Sequence, residues 1–199
     1  MKGFPLMFAC SVLLMGFMWA PRAGAEGEEK AFDFRAPVTE VAAFGGELTM
    51  LPQERADYSK NLARYGANLI MRKRASAESL ALGRRLLAVA LHLSPRSREA
   101  LVVTYQLQTG VLPKEEKKMD YSAAVFARLL LSRADLLGKQ EAKGDQLLAR
   151  CFVELAAVID PRNEDAVYAF QIQTLDHGEL DWTQVTDASK EKSKGVSQQ

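Results

Sequence analysis

Cysteine and histidine are nearly missing from this chain, with two of each in 199 residues. Cys10 falls inside an N-terminal apolar run, so Cys151 is the lone cysteine of the remainder and an internal disulfide there is excluded. No cysteine pair and no histidine pair at helical spacing exists, which removes the common zinc frameworks. Gly45-Gly46 has neither the spacing nor the following lysine of a phosphate-cradling loop, and no nucleophile-elbow motif occurs. A basic excess is also lacking. Without residues 1–25, which take Lys2 and Arg22 with them, 24 basic residues face 25 acidic ones. A formal charge near −1 offers nothing to hold a polyanion, so no nucleic-acid partner is expected. No cofactor and no metal site is expected either.

What the chain does have begins at its N-terminus. Lys2 precedes an uncharged apolar run from Phe4 to Ala20, followed by Pro21-Arg22-Ala23-Gly24-Ala25. Small residues at Ala23 and Ala25 satisfy the A-x-A rule of signal peptidase. Residues 1–25 therefore read as a signal peptide, with export to the periplasm or the medium. The rival is an uncleaved anchor, because a 17-residue run is at the short end of what spans a bilayer.

Residues 26–54 lack a helical period and read as an extended arm. Residues 55–176 read as helices. Tyr58, Leu62, Tyr65 and Leu69 form an apolar stripe. A helix from Ser76 to Leu93 is expected to bury Leu80, Leu86, Leu87, Ala90 and Leu91, and its Arg84, Ala88 and His92 fall on one strip expected to face solvent. Ser94-Pro95 and Asp160-Pro161 read as an N-cap and a first-turn proline opening the next helices. Further helices are expected at 120–138, 145–159 and 162–175. Residues 177–199 read as a polar, disordered tail. Within them and just before, Asp176, His177, Glu179 and Asp181 invite a metal reading, but a polar loop after a helix accounts for them. Cys151 shares a helical face with Leu147 and Leu155 and reads as a small buried hydrophobe.

An internal repeat organises the helices. Leu82–Gln108 aligns with Leu148–Thr174 at an offset of 66, matching Arg84 with Arg150, Ala90 with Ala156, Pro95 with Pro161 and Ala100 with Ala166. Upstream, Tyr65-Gly66-Ala67 aligns with Tyr121-Ser122-Ala123 once about ten extra residues are allowed. The segments Ala90-Leu91-His92-Leu93-Ser94-Pro95 and Ala156-Ala157-Val158-Ile159-Asp160-Pro161, each running into a new helix, resemble the junctions between tetratricopeptide repeats. The offset of 66 departs from that family's 34, and its tryptophan and Gly-Tyr positions are not filled in order. The resemblance implies an all-α array of about six antiparallel helices that binds a protein or peptide on a concave face and does no chemistry. Tyr105, Gln106 and Gln108 in one copy, and Tyr168, Gln171 and Gln173 in the other, are the candidate contact residues. Tyrosine brings area at low entropy cost, and glutamine can bond a peptide backbone. Two other readings stay open: an enzyme subunit whose site the sequence does not reveal, and a structural protein tethered to the inner membrane by an uncleaved first helix.

Overall fold

The computed structural model describes residues 32–45 and 48–189. The signal-peptide reading of residues 1–25 and the last ten residues of the tail lie outside them. The described chain is helical, with two two-residue strands. In chain order it runs β1 (Val38–Thr39), α1 (Pro52–Arg72), α2 (Ala77–Leu93), α3 (Arg98–Gln108), α4 (Ala123–Gly138), α5 (Lys143–Ile159), α6 (Glu164–His177), α7 (Thr183–Thr186) and β2 (Asp187–Ala188). Among the described residues no helix is long and apolar enough to cross a membrane.

Helix boundaries obey the 66-residue offset further than the residue identities do. Arg72 and Gly138 end α1 and α4. Ala77 and Lys143 open α2 and α5, Leu93 and Ile159 end them, and Arg98 and Glu164 open α3 and α6. The offset thus continues upstream without the ten-residue allowance, and the Tyr65–Tyr121 equivalence is incorrect. Tyr65 lies within α1, whereas Tyr121 precedes α4. Both rings instead stack on Phe126, at centroid distances of 5.2 and 6.1 Å, and the Tyr65 hydroxyl donates to the Tyr121 carbonyl at 3.0 Å.

No helix passes through Pro95 or Pro161, but the capping differs from expectation. Ser94 and Asp160 close the preceding helices, with extended ψ angles of 93° and 84° and their N–H groups bonded to Ala90 and Ala156. Ser97 and Asn163 are the N-caps, accepting from the N–H of Ala100 and of Ala166. Each proline sits inside a four-residue turn, closed by Ser97 N–H to Ser94 O and by Asn163 N–H to Asp160 O, both 3.0 Å. Proline's fixed φ suits the second position of such a turn as well as it suits a helix start.

The core runs along the α1–α2 and α4–α5 hairpins. Phe126, Phe152, Leu62, Ile70, Leu86 and Leu148 are among its largest fully buried members. Cys151 lies among them, fully buried. The arm also contributes, through Phe34, Phe44 and Met50. Asp145, fully buried at the start of α5, holds the arm by accepting from the Thr49 N–H (3.0 Å) and hydroxyl (2.6 Å). Beside it Gly144 lets the Phe44 carbonyl approach, because a Cβ there would collide with that oxygen.

Two expectations fail together. Residues 177–189 are not a disordered tail, and the strip Arg84, Ala88, His92 does not face solvent. After Gly178 (φ +71°) the chain lies across α5 and α2 as a strap, with Trp182 8 % exposed and Val185 fully buried. Its end pairs in parallel with the arm, Val38 opposite Asp187 and Thr39 opposite Ala188. Arm and strap together cover the strip, so Ala88 is fully buried and Arg84 and His92 are half-buried.

Candidate functional site

Helices α3 and α6, aligned at the 66-residue offset, sit differently, and the difference opens a cleft. Helix α3 packs chiefly on α1, burying Ala100, Val103 and Leu107. Helix α6 packs chiefly on α5 and barely reaches α4, and Ala166 is its one buried residue. At the offset of 66, Val103 and Leu107 become Ala169 and Gln173. A smaller and a polar side chain cannot fill the same volume, so the space stays open to water. The result is a cleft of about 830 Å³ between α4, α5 and α6. Leu131, Ala134, Ala149, Val153, Ala169 and Ile172 supply an apolar lining, and Asp135, Gln146, Arg150, Gln173, Asp176 and His177 supply polar groups. Nearby on α6, Tyr168 and Leu175 are 69 % and 79 % exposed.

Of the six candidate contact residues, one enters this cleft. Gln173 lines it and donates from Nε2 to the Arg150 carbonyl at 3.3 Å. Gln171 borders a hollow with Arg85, Glu154 and Trp182. Gln106 borders another beside Arg64, Pro113 and Glu116, and Gln108 borders a third beside the arm. Tyr105 and Tyr168 stand on the surface of α3 and α6. The six therefore do not converge on one groove.

A second polar arrangement went unread in the sequence, and it lies beneath the strap. Arg84 donates from Nε to Arg35 O (2.9 Å), from Nη2 to Thr186 O (3.0 Å), and from both Nη atoms to the Asp187 carboxylate (3.1 and 2.9 Å). These bonds, led by Arg84 and assisted by Thr186 Oγ1 and Arg35, hold the Asp187 carboxyl down at about 2. Arg150, 66 positions beyond Arg84, donates from Nη2 to Gly178 O at 2.8 Å. Its Nε is buried with no partner among the described residues. His92 Nε2 meets Val185 O at 2.8 Å, and Nδ1 accepts from the Ala43 N–H at 3.5 Å. That pairing requires the neutral ring protonated on Nε2. Burial, partly opposed by the bond to Val185, lowers the histidine pKa accordingly. Glu154, 8 % exposed, accepts from Trp182 Nε1 (2.8 Å) and Arg85 Nη1 (2.7 Å), while the Arg85 guanidinium lies 5.1 Å from the Trp182 ring centroid. The identity of Arg84 and Arg150 across the repeat was the available clue.

These groups tie the arm and the strap to the helices. Burial pushes the Cys151 thiol far above its ordinary range, which keeps it protonated and unreactive. The buried carboxylates of Asp145 and Glu154 are engaged by the arm and by the strap. Burial also raises the Tyr58 phenol to about 12. Among the described residues no group of three or more histidine, cysteine or acidic side chains could hold a metal ion. No family model, no curated protein and no solved structure matches the chain.

Proposed function

We propose that this is an exported, non-enzymatic helical-repeat protein that binds another protein or peptide, with the α4–α5–α6 cleft as the seat. The observation that carries the reading is the cleft's make-up. It combines an apolar lining with amide and charged groups that can orient a ligand, and an apolar helix surface stands beside it. The tetratricopeptide-like reading is supported by helix boundaries that coincide at one offset and by two matching proline turns. Export rests on the N-terminal run and on Ala23 and Ala25.

The test is site-directed photo-crosslinking in the native envelope, with the probe at Ile172 in the cleft and, as control, at Lys117 in the α3–α4 connector. The expected result is a defined crosslinked species at Ile172 alone, lost when the flanking Ala169 is replaced by Trp to fill the cleft. Equal capture at both positions, or none at Ile172, would overturn the proposal.

A further inference from the structure

The strap Gly178–Ser189 touches α5 and then α2 in sequence order. Gly178 O lies on Arg150, Trp182 on Glu154 and Arg85, Val185 O on His92, and Thr186 O with the Asp187 carboxylate on Arg84. Arg84 and Arg150 are equivalent at the 66-residue offset, and each donates to a main-chain carbonyl of the strap. Carbonyl contacts of this kind accept any sequence. Selectivity comes from three side chains. Trp182 offers its indole N–H to Glu154 and its ring to Arg85, Val185 is fully buried, and Asp187 takes the Arg84 fork. Between Trp182 and Val185, Thr183 and Gln184 are exposed, as is Glu179 before them. The strap is thus held as a bound peptide is held: by backbone carbonyls, two apolar anchors and one carboxylate.

We propose that the α2–α5 face is a peptide-binding surface occupied in cis by this strap, and that it fits a partner segment with an aromatic residue, an aliphatic residue three positions on and an acid two positions further. The strap is tethered through Gly178, whose positive φ of 71° sets the change of direction out of α6. A tethered ligand acts at an effective concentration on the order of mM. A segment in trans therefore gains the face only when the strap is weakened or outcompeted. The strap's face shares Arg150 with the α4–α5–α6 cleft, but the proposal does not rest on the cleft being occupied, and crosslinking at Ile172 does not report on it.

The test uses the full chain and a fluorescein-labelled synthetic peptide spelling residues 178–189. The Asp187→Lys chain, which turns the strap's acid against Arg84, should bind this peptide at least ten-fold more tightly than the wild type does. The same peptide with lysine only at the position that corresponds to Asp187 should bind the Asp187→Lys chain at least ten-fold more weakly than the parent peptide. Equal affinities for the two chains, or for the two peptides, would overturn the proposal. If Asp187→Lys does not give a folded chain by circular dichroism, Asp187→Asn carries the same comparison. Failure of both to fold would show the strap to be an indispensable part of the core, which also overturns it.

Discussion

Replacing Arg84 by alanine tests whether one guanidinium secures both ends of the described chain. Removing one partner of a buried ion pair costs about 3–5 kcal/mol when the other is left uncompensated. Here the compensation is partial. Arg84 and Asp187 are 18 % and 14 % exposed, so some water reaches them, and Asp187 keeps Arg35 at 2.8 Å. Arg35 is 75 % exposed, which makes it a weak substitute. The expected loss is therefore about 2–3 kcal/mol, measured as the change in urea-unfolding free energy. A double-mutant cycle with Asp187→Asn should return a coupling of about 1–2 kcal/mol. The pH dependence carries its own sign. The folded-state carboxyl of Asp187 titrates at about 2, below its ordinary value of 3.8. Its stabilisation is therefore complete above about pH 4 and lost as the pH falls through about 2. In Arg84→Ala that stretch of the stability curve should flatten. Arg150→Ala, which surrenders one carbonyl contact, should cost about 1 kcal/mol or less. A loss below about 0.5 kcal/mol in Arg84→Ala, or a coupling indistinguishable from zero, would refute the reasoning.

Three further outcomes follow from the geometry. Asn163→Ala should cost about 1 kcal/mol through the lost cap, whereas Asp160→Ala should cost less, a ranking that thermal denaturation of the two variants would check. Gly144→Ala should destabilise by about 1–3 kcal/mol, because the new methyl displaces the Phe44 carbonyl, and proteolysis within the arm should accelerate. His92 has a lowered pKa in the folded state, so the unfolded chain takes up the proton first as pH falls. Stability is then full above about pH 6.5 and declines below it, and His92→Gln should remove that decline between pH 7 and 5.5 in chemical-denaturation curves.

The helices were legible because their evidence is local. Leu62, Leu86 and Leu155 recur at helical spacing, and each is buried where its phase places it. The proline turns were legible as turns, but their caps lay three residues further on. Pro95 and Pro161 suit a turn and a helix start alike, and the choice depends on whether Ser97 and Asn163 can reach the free N–H groups. The strap was illegible for a different reason. Arg84, Ala88 and His92 have the pattern of a solvated strip, and only contacts far away in the chain reverse it. The carbonyl of Arg35 lies 49 positions from Arg84, and Asp187 lies 103 positions away. Polar residues can face inward where another segment brings carbonyls and a carboxylate to them, and helical periodicity contains no information about such a segment. The cleft was hidden in the same sense. Ala169 and Gln173 read as ordinary helix residues until Val103 and Leu107 show what occupies those places in the other copy.

The pairing of β1 with β2 has a mechanical consequence. The two strands are parallel, one near the start of the described chain and one near its end. Tension applied at the chain's two ends therefore pulls them past each other along their common axis. The ladder is loaded in shear, with its hydrogen bonds sharing the force, instead of being peeled apart one bond at a time. The Asp187 carboxylate, gripped by Arg84 on α2 and Arg35 on the arm, resists the same sliding motion. A stretched molecule should hold its length up to the rupture of this clasp, and the helical hairpins beneath it should yield only afterwards.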